Sequence, residues 1–235
     1  MSIKSNLTAS RLLQFKGQIN NENQLISQAL RTILPPAGNG ILLDVGAGLG
    51  DIAASAFADR EATLIDILDF PDAETALHTR QKIDFFNLPK PDRQIDVMLM
   101  SHVIQYLDDD VGRLVDHIQS MSPEAIILVS NKPTKLHFRI IDWLARHDIA
   151  HNAEQFFPEC PLPGYRLDRR VDLTSRIRCS NRDELARQLS SMIYDIELDP
   201  NELRAFSDWL GKQVDGASVA LPQTVSLLCK EAPNA

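Results

Sequence analysis

A glycine-rich loop that directly follows a short apolar run constrains the fold of this chain more than any other feature. Residues 41–45 read as a buried strand, Gly46, Gly48 and Gly50 follow it, and a helix is predicted over residues 50–60. Glycine lets a backbone approach a ligand where a side chain would clash, and a helix N-terminus supplies unbonded N–H groups. The loop therefore predicts a ligand site at the end of a strand in an α/β sheet.

Short apolar runs alternate with predicted helices through the first half of the chain. Strands are predicted over 41–45, 62–67, 83–86, 96–100 and 125–129, with helices over 50–60, 72–80 and 109–121 between them. Alternation of this kind predicts a parallel sheet with helices on both faces. Such sheets bind ligands beyond the carboxyl ends of their strands, so the informative residues should follow each strand.

The flanking segments complete a single predicted domain. Helices are predicted over 7–17, 22–34, 136–147, 182–192 and 200–213, an irregular segment over 151–170, a strand over 171–179, and a closing hairpin or strand pair over 217–229. We expect residues 1–35 to form a helical lid, residues 36–131 a cofactor-binding core, and residues 132–235 the substrate-side segments and closing strands.

Composition argues against several functional classes. The formal net charge is -8, and the basic residues clustered over 166–178 are interrupted by Asp168 and Asp172, so a nucleic-acid partner is not expected. The three cysteines form no CxxC pair, no signal peptide is recognised, and no apolar run could cross a bilayer. The histidines lack metal-ligand spacing. We expect a cytoplasmic protein without a metal site or a membrane partner.

The residues around the glycine loop discriminate between two ligand classes. A dinucleotide-binding loop would read G-x-G-x-x-G, but the position of its third glycine is Asp51, and Asp44 precedes the loop. Carboxylates at these positions would repel a pyrophosphate. They favour a ligand that carries positive charge and no phosphate.

Residues 43–51 resemble motif I of the class I S-adenosylmethionine-dependent methyltransferases, and the resemblance continues in order through residues 41–131. It implies a Rossmann-like fold with a seven-stranded, mostly parallel sheet, and S-adenosyl-L-methionine as cofactor. It also implies that Asp44, Gly46, Ala47 and Gly48 line the cofactor site.

Two further segments match the family's cofactor motifs. Asp66 lies at the end of the second predicted strand, where the family's acidic residue binds the ribose hydroxyls, with Ile67 beside it; Asp69 is a competing choice. Residues 83–89 resemble the family's G-D-x-x-x-L-P segment. By that match Asp84 would accept a hydrogen bond from the adenine amino group, and Phe85 would provide a backbone N–H or packing.

The segment from 96 to 106 resembles motif IV of the family's small-molecule members and follows the fourth predicted strand. Ser101 and His102 would border the cofactor, and His102 would act as general base if the acceptor must lose a proton. Local packing or hydrogen bonding is the other interpretation of His102. Tyr106 would line the pocket or belong to the core, and Asn131, after the fifth strand, would border the same pocket.

The predicted function is methyl transfer to a nitrogen or oxygen atom of a small metabolite, with secondary metabolism as one setting. The absence of an N/D-P-P-Y sequence after the fourth strand favours small-molecule acceptors by resemblance. One alternative is a lyase, cyclase or aminocarboxypropyl-transfer enzyme similar to azetidine-carboxylate synthase, which releases methylthioadenosine. Another is a non-catalytic cofactor-binding protein. The oligomeric state stays open.

Overall fold

The computed structural model describes residues 19–35, 38–70, 77–107, 111–149, 162–194 and 196–232. Within these ranges it leaves out the side chains of Ile19, Asn20, Gln105, Tyr106 and Met192. The helix predicted over 7–17 and most of the irregular segment predicted over 151–170 therefore lie outside the described residues.

In the described residues one sheet of eight strands forms the centre of the molecule. The strands are β1 (Ile19–Asn20), β2 (Ile41–Val45), β3 (Ala62–Asp66), β4 (His78–Lys82), β5 (Ile95–Ser101), β6 (Ala125–Asn131), β7 (Tyr165–Arg178) and β8 (Ser218–Lys230). Their order is β1-β7-β8-β6-β5-β2-β3-β4. Strands β2 to β6 are parallel, and β8 is antiparallel to both β6 and β7. The predicted seven-stranded, mostly parallel sheet is confirmed, with the two-residue β1 added at one edge.

The helices agree with the predictions more closely in position than in length. They are α1 (Glu22–Ile33), α2 (Asp51–Ala56), α3 (Ile104–Leu107), α4 (Val111–Met121), α5 (Lys135–Arg146), α6 (Arg182–Gln188) and α7 (Pro200–Leu210). A π-helical segment, Leu189–Ile193, continues α6, and Phe85–Asn87 forms a 3-10 turn. Helix α2 is shorter than the predicted 50–60.

The predicted third strand was wrong in position. The polar sequence His78–Lys82, whose first residues were assigned to a helix over 72–80, forms β4 and pairs in parallel with all of β3. The apolar run predicted as a strand over 83–86 instead leads into the 3-10 turn, because Asp84 caps this turn and Phe85 packs inward. In β4, which is an edge strand, pairing with the neighbouring strand outweighs the weak strand propensity of polar residues.

Two apolar clusters cover the two faces of the sheet. Helix α1 contributes Ile26, Ala29, Leu30 and Ile33 to the first cluster, at the spacing of one helix face. Each large aliphatic side chain that is fully buried stabilises the folded state by about 1.5–3 kcal/mol. The described half of the predicted lid is thus packed on the sheet, while residues 1–18 lie outside the described residues.

The closing strands differ from the predicted hairpin. Strand β7 already begins at Tyr165, and the two apolar runs of residues 217–229 belong to one continuous strand, β8, that pairs with β6 and β7. Pro222 is tolerated because the β6 strand ends at the Asn131–Gln223 pair, and beyond it Pro222 contributes only its carbonyl, which accepts from the N–H of Lys132 at 2.7 Å. Proline is confined to positions where no N–H is needed for pairing.

The connection between β7 and β8 carries α6, the π-helical segment and α7. Since β7 runs parallel to β6, this connection leaves the sheet at the edge where the parallel strands end. Together with α5 these elements pack into a third apolar cluster that includes Ile177 of β7 and Val219 of β8. We call α5, α6, the π-helical segment and α7 the helical cap.

Candidate active site

The glycine loop follows β2 in a conformation that depends on glycine. Asp44 is buried near the end of β2, and Gly46 and Gly48 have φ values of 67° and 55°. A Cβ atom on Gly46 would lie 2.3 Å from Cγ2 of Val103, well inside ordinary contact. The N–H of Ala47 donates to the carbonyl of β3 residue Ile65 at 3.0 Å. Contacts with residues at the ends of β3 and β5 therefore hold the loop in place.

Asp66 connects the end of β3 to this loop. Its Oδ2 accepts a hydrogen bond from the N–H of Gly48 at 2.9 Å, and its Oδ1 accepts one from the N–H of Leu68 at 2.8 Å. A carboxylate offers about four acceptor sites, so two remain for a diol. Ile67 is apolar and 60% exposed beside it, and the competing Asp69 is held in an exposed ion pair.

Asp84 and Phe85 follow β4 beside Asp66. The N–H of Ile83 donates to the carbonyl of Asp66 at 3.0 Å, and Asp84 uses its side chain to cap the 3-10 turn. The Phe85 ring is buried and meets the ring of His117 edge-on, with 4.6 Å between the centroids. The Phe85 side chain thus packs in the core, and its predicted role beside the cofactor stays a prediction.

His102 follows Ser101, the last residue of β5, in a strained backbone conformation. Its φ is 53°, and its N–H donates to the carbonyl of Val129 at 3.0 Å. Positive φ is uncommon outside glycine, although histidine adopts it more readily than most residues. Backbone strain of this kind is concentrated at functional sites.

The His102 imidazole belongs to a polar cluster of four side chains. The side-chain nitrogen of Gln223, a fully buried residue of β8, donates to Glu22 Oε1 and to Asn131 Oδ1, the latter at 3.3 Å. The same nitrogen lies 3.3 Å from His102 Nε2, and Glu22 Oε1 lies 3.7 Å from that atom. We call Glu22, His102, Asn131 and Gln223 the polar cluster.

The structure brings most of the predicted site residues to one edge of the sheet. The glycine loop, Asp66 and His102 follow β2, β3 and β5, which are neighbours in the sheet. Tyr106 lies in α3, but its side chain is outside the described part of the chain. Sequence reasoning missed Glu22 and Gln223, because an acid in a first helical turn and an amide after a proline carry no distinctive pattern.

Neither cysteine in the described residues has the character of a nucleophile. Neither Cys179 nor Cys229 forms a disulfide bond within the described residues. Burial, with a smaller effect from Glu184, raises the pKa of Cys179 to about 11, and burial also raises the pKa of Cys229. A thiol with a raised pKa carries little thiolate at neutral pH. Cys160 lies outside the described residues.

Neither a metal centre nor a membrane-spanning helix is found among the described residues. No group of three or more His, Cys, Asp or Glu residues there is arranged to hold a metal ion. None of the helices in the same part of the chain combines the length and the apolar character needed to cross a membrane.

Solved structures with the same fold include several proteins described as methyltransferases. A protein described as a type II methyltransferase from Anaeromyxobacter dehalogenans is 14% identical, with a TM-score of 0.56, 90% of this chain and 97% of that chain covered. A protein described as a methyltransferase from Bacillus halodurans is 12% identical, with a TM-score of 0.57 and coverage of 91% and 100%. The [4+2]-cyclase SpnF is 13% identical, with a TM-score of 0.50 and coverage of 90% and 81%.

The sequence comparisons address the family directly. A search of curated proteins found no match. A family model described as a methyltransferase domain matches residues 18–168, well over half of the chain. The matched range contains the glycine loop, Asp66, Asp84 and His102. The chain therefore belongs to the methyltransferase domain family, which confirms the predicted class, an S-adenosylmethionine-dependent transferase of the class I fold.

Proposed function

We propose that this protein transfers a methyl group from S-adenosylmethionine to an oxygen or nitrogen atom of a small molecule, with His102 as the general base. The observation that carries the proposal is the polar cluster. It holds an imidazole at the sheet edge where the glycine loop and Asp66 also lie. A proton acceptor beside a cofactor site is what methyl transfer to a protonated oxygen or nitrogen requires.

The loop and its neighbours fit this cofactor. Asp66 would accept from the ribose hydroxyls with its two remaining acceptor sites, and the exposed Ile67 would be covered by the adenine ring. Asp84 would accept from the adenine amino group. Asp44 supports a cationic ligand, because carboxylates at the loop attract an ammonium and a sulfonium and repel phosphates. Gly46, Ala47, Gly48 and Ser101 would border the methionine part.

The cofactor, when bound, supplies a methyl group activated by its sulfonium. The protein must then hold the acceptor atom in line with that group, exclude water and take the acceptor's proton. Positioning of this kind is worth on the order of 7–11 kcal/mol in favourable cases. General base catalysis typically contributes a further factor of about 10²–10⁴.

The polar cluster holds the His102 ring through its Nε2 atom. This atom lies 3.3 Å from the Gln223 side-chain nitrogen and 3.7 Å from Glu22 Oε1. The amide nitrogen donates to a lone pair on Nε2 in one tautomer of the ring, and the carboxylate faces a hydrogen on Nε2 in the other tautomer and in the imidazolium. The cluster can therefore accommodate the ring before and after it takes the acceptor's proton.

Glu22 has a second role in this scheme. Once His102 has taken a proton, the ring is an imidazolium, and its Nε2 lies 3.7 Å from Glu22 Oε1. An opposite charge at this distance stabilises the imidazolium. Glu22 is thus a positioning residue that holds the ring before the transfer and stabilises its charge afterwards.

The first experiment is to incubate the purified protein with S-adenosylmethionine alone and then with a pool of small metabolites, and to identify the products by mass spectrometry. We expect S-adenosylhomocysteine and a product heavier by one methyl group only when the pool is present. Methylthioadenosine without the pool would replace the proposal by a lyase or cyclase. Cofactor binding without turnover on any pool would favour a non-catalytic protein.

The role of His102 is tested by His102→Asn, because asparagine tolerates a positive φ. We expect turnover to fall by about 10²–10⁴-fold while the Kd for S-adenosylmethionine changes less than about twofold. The matched control is His147→Gln in the residue after α5, where the ring packs on Trp143; its turnover should equal that of the wild type. Normal turnover of His102→Asn would exclude His102 as the base.

A further inference from the structure

The helical cap lies at the same edge of the sheet as the polar cluster. Strands β7 and β8 extend past the end of β6, since the last β6 pair joins Asn131 to Gln223, whereas β7 continues to Arg178. The cap packs on this extension through Ile177 and Val219. A layer of helices therefore stands beside the ends of β5 and β6, where an acceptor would meet the cofactor.

A small cavity separates the cap from the sheet edge. Its volume is about 30 Å³, and its lining includes Asn131, His137, Leu189, Tyr194, Ala220 and Pro222. One water molecule needs roughly 10–15 Å³ of such space. The cavity therefore has room for a group of the size of a hydroxyl or hydroxymethyl.

Two buried polar side chains line this cavity. The hydroxyl of Tyr194 lies 3.1 Å from Nδ1 of His137, and the two rings are stacked with 5.6 Å between centroids. Tyr194 is 2% exposed and His137 is 7% exposed. Most other lining residues are apolar, among them Leu189 and Ile140, and the ammonium of Lys132, which also borders the cavity, is in an ion pair with Asp172 at 2.5 Å. A polar pair in such surroundings offers hydrogen bonds to a neutral group, whereas a charged group would lose its hydration there.

The π-helical segment positions Tyr194. The N–H of Tyr194 bonds to the carbonyl of Leu189 at 3.2 Å, five residues back. One extra residue in a helix rotates the subsequent residues by roughly 100° relative to a regular α-helix. This rotation accompanies the stacking of Tyr194 on His137 of α5. Segments of this kind are rare and are often found at functional sites.

The cavity and the polar cluster share a wall. Asn131 lines the cavity and accepts from Gln223 at 3.3 Å, and the same Gln223 nitrogen lies 3.3 Å from His102 Nε2. Pro222, which also lines the cavity, directly precedes Gln223. Asn131 thus takes part in both, and the cavity lies next to the polar cluster that contains His102.

We propose that this cavity is the recognition subsite for the methyl acceptor, and that the acceptor is a neutral small molecule whose far end carries a hydroxyl-sized hydrogen-bonding group. That group would bond to the His137–Tyr194 pair among the apolar side chains of the lining, such as Leu189, and the rest of the molecule would extend out of the cavity towards His102. This inference rests on the proposed function for the identity of the ligand as an acceptor, but the binding property of the cavity can be measured without any methyl transfer.

The binding test uses ethanol as a hydroxyl-ended probe and acetate as its charged counterpart, with the methyl resonances of Ile140 and Leu189 followed by NMR. We expect ethanol to shift both resonances saturably in the wild type, and Ala220→Leu, which fills the cavity, to abolish the effect. Tyr194→Phe should weaken ethanol binding on the order of 3- to 10-fold. Acetate should produce no saturable shift.

The control is Tyr165→Phe, which removes a hydroxyl that donates to the Pro123 carbonyl at 2.7 Å in another part of the fold. Ethanol binding by this variant should equal that of the wild type. The proposal is overturned if the wild type shows no saturable shift, if Ala220→Leu responds like the wild type, or if acetate binds more tightly than ethanol.

The kinetic test uses whichever acceptor the metabolite-pool experiment identifies. For Tyr194→Phe we expect its KM to rise on the order of 3- to 10-fold, with kcat and the Kd for S-adenosylmethionine within about twofold. An unchanged KM in both Tyr194→Phe and Ala220→Leu, with methyl transfer intact, would refute the subsite. A wild type that methylates nothing would refute the proposed function, and the ethanol titration would still decide whether the cavity binds a neutral hydroxyl.

Discussion

Replacing Gly46 by alanine tests the central geometric claim about the cofactor loop. The backbone at Gly46 has a φ of 67°, and the new Cβ would lie 2.3 Å from Cγ2 and 2.7 Å from Cβ of Val103. The left-handed conformation costs a non-glycine residue about 1–2 kcal/mol. Relieving the clash by displacing the loop or Val103 costs roughly another 1–3 kcal/mol. We therefore expect Gly46→Ala to lower the free energy of unfolding by about 2–5 kcal/mol.

Gly216→Ala is the matched control for backbone strain alone. Gly216 has a φ of 71° and no atom within 4 Å of the added Cβ, so its expected loss is only about 1–2 kcal/mol. Urea unfolding measures both losses, and equal m-values would show that the same transition is compared. The difference between the two variants isolates the clash at the loop.

A double-mutant cycle completes this test. A Val103→Gly background removes both Cγ2 and Cβ of residue 103, the two nearest neighbours of the Cβ at position 46, so Gly46→Ala should cost at least about 1 kcal/mol less there than in the wild type. A Val103→Ala background keeps the Cβ contact and should give a smaller relief. Gly46→Ala should also weaken the binding of S-adenosylmethionine, because displacement of the glycine loop would change the shape of the cofactor site. The reasoning is refuted if Gly46→Ala costs no more than Gly216→Ala, or if Val103→Gly gives no relief.

Three further predictions concern other parts of the molecule. Asp66→Ala should weaken S-adenosylmethionine binding by about 1.5–3 kcal/mol, and an unchanged calorimetric Kd would reject Asp66 as the ribose ligand. Burial, with Glu124 adding to it, raises the pKa of Tyr165 from 10.0 to about 12, so the stability held by its protonated form is complete below pH 10 and is lost between pH 10 and 12. The free energy of unfolding of Tyr165→Phe, measured with urea, should not show this loss between pH 10 and 12. If the wild type and the variant lose stability in parallel over this range, the raised pKa is not the cause. The raised pKa of Cys179 should slow its alkylation by iodoacetamide at pH 8 by at least about tenfold relative to free cysteine; an equal rate would show that this thiol is not protected.

The segments that the sequence predicted well are those in which local pattern and burial agree. Helix α1 has its buried residues on one face and ends before Pro35, and the structure has it at Glu22–Ile33. Strands β2, β5 and β6 are nearly continuous apolar runs, as expected for strands covered on both faces. In such elements the hydrophobicity of each residue is sufficient to predict whether it is buried.

The predictions from sequence were wrong for segments whose structure depends on pairing with a neighbouring strand. His78–Lys82 is polar and forms a strand only because β3 offers it a partner. The two apolar runs around Pro222 look like separate strands, yet they form one, because β6 ends beside the proline and no N–H is needed there. Strand pairing joins residues far apart in the chain, and a local pattern does not contain that information.

The features of the candidate site also fall into those that local sequence predicts and those that depend on the tertiary structure. Local sequence was sufficient to predict the family and the position of the glycine loop, because the backbone requirements of such a loop fix residue types at short spacing. The roles of Asp66 and His102 stay predictions. Packing of distant elements was needed to bring Glu22 and Gln223 to His102, and Tyr194 to His137. These contacts join α1, β8, the π-helical segment and α5 across the fold. Their residue types are ordinary for the elements that carry them, so their chemistry exists only once those elements are packed together.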